Sequence, residues 1–306
     1  MRFRTSALIY VTMATLLAPA VSAQAQKVPP QLLRPTAAGA QPVNATVPSH
    51  NPAANGLATT QCTYSFTTGT GSTYMNYCIT VNGTFVNFQS PAGVELLDHT
   101  SQWEGYGICD NSPATPVSYY DYNYADSGNW EAPVLVTSTS SEVKIKRTTS
   151  DGLWTLTNTI TRETGPPPYA KVVMALKNNS SVTKLIFLLR YAAMVPDHAG
   201  TAGNWYENYD ASDNSAWGYN SVADSAQNGS DVYGLMLQNV DTPSPSSAVI
   251  EWYGFPEAYS EGPDPCDPLK EDIGTLTYYE GSAAMLYIAE MSKEQTLTVT
   301  DKYFSF

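Results

Sequence analysis

Residues 142–162 read EVKIKRTTSDGLWTLTNTITR, and this stretch decides the fold class of the chain. Before the turn signal Ser-Asp-Gly at 150–152, Val143 and Ile145 alternate with Lys144 and Lys146. After the turn, apolar side chains alternate with threonines: Trp154, Leu156 and Ile160 against Thr155, Thr157 and Thr159. A period of two is typical of a half-buried β-strand, so the stretch predicts an antiparallel hairpin.

The pattern continues on both sides of this hairpin. Tyr169–Lys177 and Thr183–Ala193 are predicted strands, and Leu185–Leu189 is apolar on both faces, as in a central strand. Further strands are predicted at Thr84–Gln89, Tyr119–Tyr124, Pro133–Ser138, Val232–Gln238, Ala248–Tyr253, Thr275–Glu280, Met285–Glu290 and Gln295–Phe304. Many short strands between turn clusters predict an all-β fold, an antiparallel β-sandwich with long loops.

The strands at 143–194 resemble the core strands of large secreted β-sandwiches. The galactose-mutarotase-like supersandwich is one such architecture, and the resemblance covers about a sixth of the chain. In the mutarotase-like enzymes the chemistry uses a His and a Glu in the concave sheet. The histidines after residue 60, His99 and His198, lie in no predicted strand, so the resemblance implies the fold and no catalytic positions.

The first 60 residues predict export. A basic start at 1–4 is followed by an apolar run, Ala7–Ala20, and by small residues at 21–25. This order is the pattern of a secretory signal peptide, predicted at residues 1–25, and the run is shorter than the ~20 residues that span a bilayer. Residues 26–60 contain six prolines and no acidic residue, which predicts a disordered linker before a single domain at 61–306.

The charge of the predicted domain is strongly negative. All 28 acidic residues lie at or after Glu95, and 11 of the 15 Lys and Arg lie after residue 60, which gives this part a net charge of −17. Such a field repels nucleic acid and anionic polysaccharides. The net charge therefore favours a neutral ligand, a cation or simply solubility.

Four cysteines, Cys62, Cys78, Cys109 and Cys266, allow three pairings. A hairpin folded at Thr70 would place Cys62 directly opposite Cys78, within reach of a disulfide. That assignment leaves Cys109 with Cys266. Export to an oxidising compartment favours both bonds.

Residues 197–231 are predicted as a long loop with an unusual composition. The segment carries Trp205, Tyr206, Glu207, Tyr209, Trp217 and Tyr219 and has no Lys or Arg. Aromatic faces stack on the C–H surfaces of sugars while short polar side chains bind the hydroxyls. These six residues are the predicted ligand-binding set, and the alternative is that the aromatics seal one end of the sandwich.

The same segment offers hard oxygen ligands for calcium at Asp210, Asp213, Asp224 and Asp231. It lacks the glycine and the final glutamate of an EF-hand loop. A calcium site and a solvated acidic loop both remain open interpretations.

A third cluster surrounds Glu104, with Asp110 and Asp121 close behind it in the sequence. If Cys109 bonds Cys266, the loop with Glu261, Asp264 and Asp267 lies beside this cluster. Two such carboxylates could act as acid and base on a glycosidic bond if they stood about 5–10 Å apart. No nucleophile elbow, phosphate-binding glycine loop or HExxH motif is present in the sequence.

Together these features predict a secreted β-sandwich that binds, and in one interpretation processes, a neutral carbohydrate. The alternative is a non-catalytic surface or matrix interaction protein. The position of the aromatic rings distinguishes the two, because stacking on a sugar requires open ring faces.

The cysteine pairing is directly testable. We expect non-reducing peptide mapping of the secreted protein to give linked peptides for Cys62–Cys78 and Cys109–Cys266 and no others. A peptide linking Cys62 to Cys109 or to Cys266 would contradict the pairing.

Overall fold

The computed structural model describes residues 60–97, 104–123, 126–194, 204–210, 214–221, 233–241, 246–251, 264–266, 276–277 and 281–306. In these ranges the chain forms seventeen β-strands and one 3-10 turn, Gly71–Thr73. No helix in this described part is long and apolar enough to cross a membrane. The all-β fold predicted from the sequence is confirmed.

The strands form three antiparallel sheets. The small sheet consists of β1 (Tyr64–Thr68), β2 (Met75–Ile79) and β3 (Phe85–Gln89) in that order. The five-stranded sheet contains β4 (Glu104–Asp110), β5 (Val117–Asp121), β10 (Lys184–Met194), β14 (Ser246–Glu251) and β16 (Gly281–Met291), in the order β14-β16-β10-β4-β5.

The nine-stranded sheet holds the remaining strands. These are β6 (Val134–Ser138), β7 (Glu142–Thr148), β8 (Trp154–Glu163), β9 (Tyr169–Asn178), β11 (Asn204–Asp210), β12 (Ser215–Ser221), β13 (Tyr233–Asn239), β15 (Leu276–Thr277) and β17 (Thr296–Ser305). Their order is β15-β11-β12-β13-β17-β9-β8-β7-β6. The hairpin predicted at residues 142–162 is β7–β8, and the predicted central strand at 183–193 is β10, in the middle of its sheet.

The core lies between the large sheets. Alternate residues of β7, β8, β9 and β17 are fully buried, in the pattern that the sequence predicts. They pack in one apolar cluster with side chains of β4, β10 and β16. The other face of the nine-stranded sheet, which we call the outward face, carries the partly exposed residues that alternate with the buried ones.

The first hairpin corrects the predicted register while confirming the disulfide. Cys78 pairs with Ser65, and the strands end at Thr68 opposite Met75, so the loop is centred beyond Thr70. The 3-10 turn causes the shift: Gly69 adopts a φ of +69°, and an added Cβ there would lie 1.9 Å from the Thr73 carbonyl oxygen. Cys62 lies just before β1, and its Cα is 5.5 Å from that of Cys78 in the disulfide.

The second disulfide joins Cys109 to Cys266 across 157 residues, with the Cα atoms 4.9 Å apart. It holds residues 264–266 against the five-stranded sheet, where an added Cβ at Gly107 would lie 2.4 Å from Cγ of Pro265. In the entropic model, closing so long a loop contributes roughly 4–5 kcal/mol to stability. Both predicted pairings are therefore present, and the described cysteines are all bonded.

A buried ion pair joins the three sheets. An oxygen of Glu104 on β4 lies 2.5 Å from the Arg190 guanidinium on β10 and accepts a 2.6 Å hydrogen bond from the Tyr303 hydroxyl on β17. The other oxygen of Glu104 accepts a 2.6 Å bond from the backbone N–H of Phe85 on β3. Burial raises the pKa of Glu104, and Arg190 opposes the rise. Removing one member would leave a charge buried without its partner, which costs several kcal/mol.

A second buried group surrounds Arg147 on β7. Its guanidinium lies 2.5 Å from Asp121 and 3.3 Å from Asp126, and it packs 5.0 Å from the ring centre of Trp130. Asn82 donates a 2.7 Å hydrogen bond to Asp121. Arg147 occupies an inward position that the alternation shares with Val143 and Ile145, and the two acidic partners explain how a cation is accommodated there.

Asp301 is a buried carboxylate with no direct cation contact among the hydrogen bonds and ion pairs of the described residues. It lies on β17, accepts a hydrogen bond from the Tyr287 hydroxyl, and faces Arg190 and Asp241 at longer range. Burial raises its pKa to about 7. The folded chain therefore holds this proton more tightly than the unfolded chain, and the stability it contributes is present at low pH and is lost as pH rises through about 7.

We therefore expect Asp301→Asn to stabilise the protein increasingly from pH 4 to pH 7, by up to about 4 kcal/mol, relative to the natural chain. Urea titrations at a series of pH values give the difference in free energy of unfolding. Glu131→Gln, at an exposed position, is the control and should leave this difference near zero. A difference for Asp301→Asn that stays constant with pH would contradict the expectation.

Candidate functional site

The segment predicted as a long loop at 197–231 contains two strands, which corrects that prediction. Strands β11 and β12 pair in register, with Tyr206 opposite Tyr219 and Asn208 opposite Trp217. They continue the nine-stranded sheet from β13. The loop prediction was wrong because Asn, Asp and Gly within these strands resemble turn signals, whereas the pairing is decided by neighbouring strands.

Strand geometry places the two members of the predicted ligand-binding set on β12. Neighbouring residues of a strand belong to opposite faces of a sheet, so Trp217 and Tyr219 share one face and Ala216 and Gly218 the other. On β12, Ala216 is in the core and the Gly218 N–H donates to Sδ of Met194 at 3.2 Å. Trp217 therefore lies on the outward face.

Trp217 and Tyr219 share this face, and both are partly exposed. Neither is among the described residues of the main core, and the alternative that the aromatics seal one end of the sandwich stays open. Of Trp205, Tyr206, Glu207 and Tyr209, the structure describes the backbone in β11. The prediction that these four bind a ligand stays a prediction.

The outward face carries further aromatic residues beside Trp217. In register order across the sheet, Trp217 on β12 pairs with Met236 on β13, and Met236 pairs with Phe304 on β17. Tyr219 pairs with Gly234, and the Phe306 ring lies over that glycine, where an added Cβ would be 2.3 Å from the ring. Phe306 itself is 48% exposed. We call this set the aromatic stripe: Tyr169, Trp217, Tyr219, Met236, Phe304 and Phe306.

A lysine lies within the stripe. The Lys302 ammonium is 4.7 Å from the ring centre of Phe304 and 5.9 Å from that of Tyr169. Both distances are within the range of cation–π attraction. The sequence prediction did not include Tyr169, Phe304 or Phe306 in the site. The alternation of Phe304 and Phe306 was the available signal, but only the sheet order shows that they lie on the same face as Trp217, one strand beyond β13.

The third cluster is partly brought together. The Ser118 hydroxyl donates to the exposed carboxylate of Asp264, so residues 264–266 lie beside β5, as the disulfide predicts. Glu104 and Asp121, however, are buried between the sheets in ion pairs, and Asp110 is buried with Lys184 at 2.8 Å. These three carboxylates are thus enclosed by protein. The remaining two members of the cluster, Glu261 and Asp267, lie outside the described residues.

The calcium prediction falls mostly outside the described residues. Asp213, Asp224 and Asp231 are not described, and Asp210 is described only as the last residue of β11. Within the part of the chain that is described, no group of three or more His, Cys, Asp or Glu is arranged to hold a metal ion. A calcium site formed by these four aspartates stays a prediction.

No family model and no curated protein matches the sequence. Among solved structures, the chain is similar to a bacterial glucoamylase complexed with acarbose, with 12% identity and a TM-score of 0.47 over 81% of this chain and 32% of that one. It is also similar to the heparan sulfate lyase HepC from Pedobacter heparinus, with 10% identity and a TM-score of 0.43 over 81% of this chain and 36% of that one. The chain thus spans about a third of the length of these proteins. Similarity at this level concerns strand arrangement and carries no argument about the ligand.

The outward position of Trp217 predicts how much its side chain contributes to the free energy of unfolding. Trp217→Ala should lower the free energy of unfolding by about 1–2 kcal/mol, since a partly exposed ring loses only part of its burial. The matched control is Trp154→Ala, because Trp154 is fully buried in the core and should cost about 3–5 kcal/mol. Urea titration measures both variants. Equal losses would show that Trp217 is a core residue.

Proposed function

We propose that this protein is exported and binds a carbohydrate on the aromatic stripe of the outward face. The observation that carries the proposal is the row Trp217–Met236–Phe304, with Tyr219, Phe306 and Tyr169 around it. The alternate residues of the same strands fill the space between the sheets, and the described residues of the stripe are partly exposed. Two disulfides support export, since such bonds persist in oxidising compartments.

The dimensions of the stripe suit a sugar chain. From Tyr169 on β9 to Trp217 on β12 the stripe crosses three strand spacings, or about 14 Å. Rings distributed over that distance offer several stacking positions instead of one. Next to the stripe, Gln238 lies in register between Ser215 and Lys302, so amide and ammonium groups adjoin the rings. Rings beside polar groups are the combination that binds sugars.

The proposal is for binding and does not include bond cleavage. Acid–base cleavage requires two carboxylates that the glycosidic bond can reach. Glu104, Asp110 and Asp121 are each enclosed beside a cation, and Asp264 is exposed beside Ser118. Among the described residues, Glu104, Asp110 and Asp121 therefore stabilise the fold, and Asp264 has none of these three carboxylates as an accessible partner.

One observation favours the alternative, a non-catalytic surface or matrix interaction protein. Strand β6 forms an edge of the nine-stranded sheet, and Val134, Leu135 and Val136 are each about half exposed. Exposed edge strands pair readily with another extended chain. Binding to a polypeptide through β6 would not depend on Trp217, so the same variants separate the two functions.

We expect the secreted chain to be retained by insoluble polysaccharides in a pull-down panel, and Trp217→Ala and Tyr219→Ala to weaken that retention. The loss of one stacking ring should raise Kd about threefold to tenfold. Tyr120→Ala is the matched control, because Tyr120 is a partly exposed aromatic residue on β5 of the five-stranded sheet, whereas the stripe lies on the nine-stranded sheet. Retention that is identical in all three variants would refute the stripe as the binding surface.

A further inference from the structure

On four strands of the nine-stranded sheet the outward face carries more lysines than carboxylates, opposite to the chain as a whole, and one of these lysines, Lys177, is paired with Glu294 at 2.5 Å. The outward positions of β7, β8, β9 and β17 include five lysines and two glutamates: Lys144, Lys146, Lys171, Lys177, Lys302, Glu142 and Glu163. After residue 60 the chain has only 11 basic residues against 28 acidic ones. Nearly half of the basic residues are thus gathered on one face of four adjacent strands, while Asp121, Asp126 and Asp301 are buried on the other side.

Two of these lysines are directly opposed. In the pairing of β9 with β17, Lys171 lies opposite Lys302, a like-charge arrangement that destabilises a sheet. The fold compensates only partly: Glu163 lies 2.8 Å from Lys171, and Lys302 lies over the rings of Phe304 and Tyr169. An anion placed between the two ammonium groups would relieve their repulsion.

Hydroxyl groups surround the lysines. Outward threonines line β8 and β17 on either side of β9: Thr155, Thr157, Thr159, Thr161, Thr296, Thr298 and Thr300. Thr161 is opposite Lys171, and Thr159 is opposite Lys144. A sugar chain on this surface would meet ammonium groups and hydroxyl groups in alternation.

We propose that the outward face binds an anionic polysaccharide, with its carboxylate or sulfate groups on the lysine–threonine surface and its ring faces on the adjoining aromatic stripe. This inference rests on the proposed function and specifies the ligand class. The net charge had predicted a neutral carbohydrate, and this inference replaces it with an anionic one. Exposed charges act over about 8 Å at physiological salt, so the local lysines outweigh distant carboxylates at the surface itself.

Charge complementarity favours an extended acidic sugar chain over other anions. The surface is a sheet face at least four strands wide, it is continuous with the stacking rings through Lys302, and the polar groups between its lysines are hydroxyls suited to sugar hydroxyls. A nucleic acid or an anionic membrane would engage the lysines without requiring the threonines or the stripe. These two partners are therefore alternatives that the experiment must separate.

The experiment uses the full secreted chain. Dextran sulfate and unmodified dextran share one backbone and differ in the sulfate groups, and polygalacturonate, on a different backbone, supplies carboxylates in place of sulfates. We expect binding to dextran sulfate and polygalacturonate at low salt, with loss of affinity as salt rises and little binding to dextran. An oligonucleotide and vesicles of phosphatidylserine serve as anions without sugar-ring stacking.

The variants test the sign of the charge effect. Lys171→Gln and Lys302→Gln should each weaken binding to dextran sulfate about fivefold, whereas Glu163→Gln should tighten it. Lys184→Gln is the control, because it removes the same charge from the five-stranded sheet, where Lys184 pairs with Asp110. Thermal melts of all variants confirm that they are folded.

Each outcome decides the inference. Weakening by the two outward lysine variants, tightening by Glu163→Gln and no change in Lys184→Gln would support it. Equal effects of all lysine variants, or equal affinity for the oligonucleotide or the vesicles, would overturn it. Binding to neutral polysaccharides that depends on Trp217 and ignores the lysines would overturn the inference and leave the proposed function standing, whereas absence of binding to every polysaccharide would overturn both.

Discussion

The contacts of Glu104 hold the three sheets in one structure. The carboxylate belongs to β4 of the five-stranded sheet, pairs with Arg190 of the same sheet, accepts a hydrogen bond from Tyr303 of the nine-stranded sheet, and accepts another from the backbone of Phe85 in the small sheet. In an interior of low dielectric these bonds are strong, and each unmade bond would be costly. The relative placement of the sheets is therefore specified by polar geometry as well as by apolar packing. Apolar packing alone tolerates shifts that this arrangement does not.

The buried charges also explain the character of the surface. Arg147 and Arg190, two of the few basic residues, face inward. There they form buried ion pairs with Glu104, Asp121 and Asp126. The outward face of the nine-stranded sheet keeps lysines, threonines and aromatic rings. On four strands, a chain with a large negative net charge thus carries more lysines than glutamates at its outward positions. Net charge describes solubility and long-range attraction, but the sign of a particular surface depends on which residues the sheet turns outward.

The candidate site combines residues from distant parts of the sequence. Tyr169, Trp217 and Phe304 come from strands β9, β12 and β17, and the order of the sheet places them in neighbouring positions. A sheet serves this purpose well, because its backbone hydrogen bonds fix each residue on a rigid surface. Sites on rigid strands lose little conformational entropy when a ligand binds. The same sheet leaves β6 at its edge with exposed valines and a leucine, which gives the molecule a second, chemically different surface.

The sequence by itself determined the fold class, the strands with strong alternation and the cysteine pairing. The β7–β8 hairpin and the buried faces of β9 and β17 follow from a local period of two, which is a property of neighbouring residues. The hairpin of β1 and β2 shows the limit of that reasoning, because the turn geometry at Gly69 and Gly71 displaced the register that symmetry predicted. Only the tertiary structure decided that 204–210 pairs with 215–221, that Trp217 and Phe304 lie on either side of Met236, and that Lys171 lies opposite Lys302. These are contacts between residues far apart in the sequence, and the order of strands in a sheet is fixed by packing across the whole core, which no local pattern records.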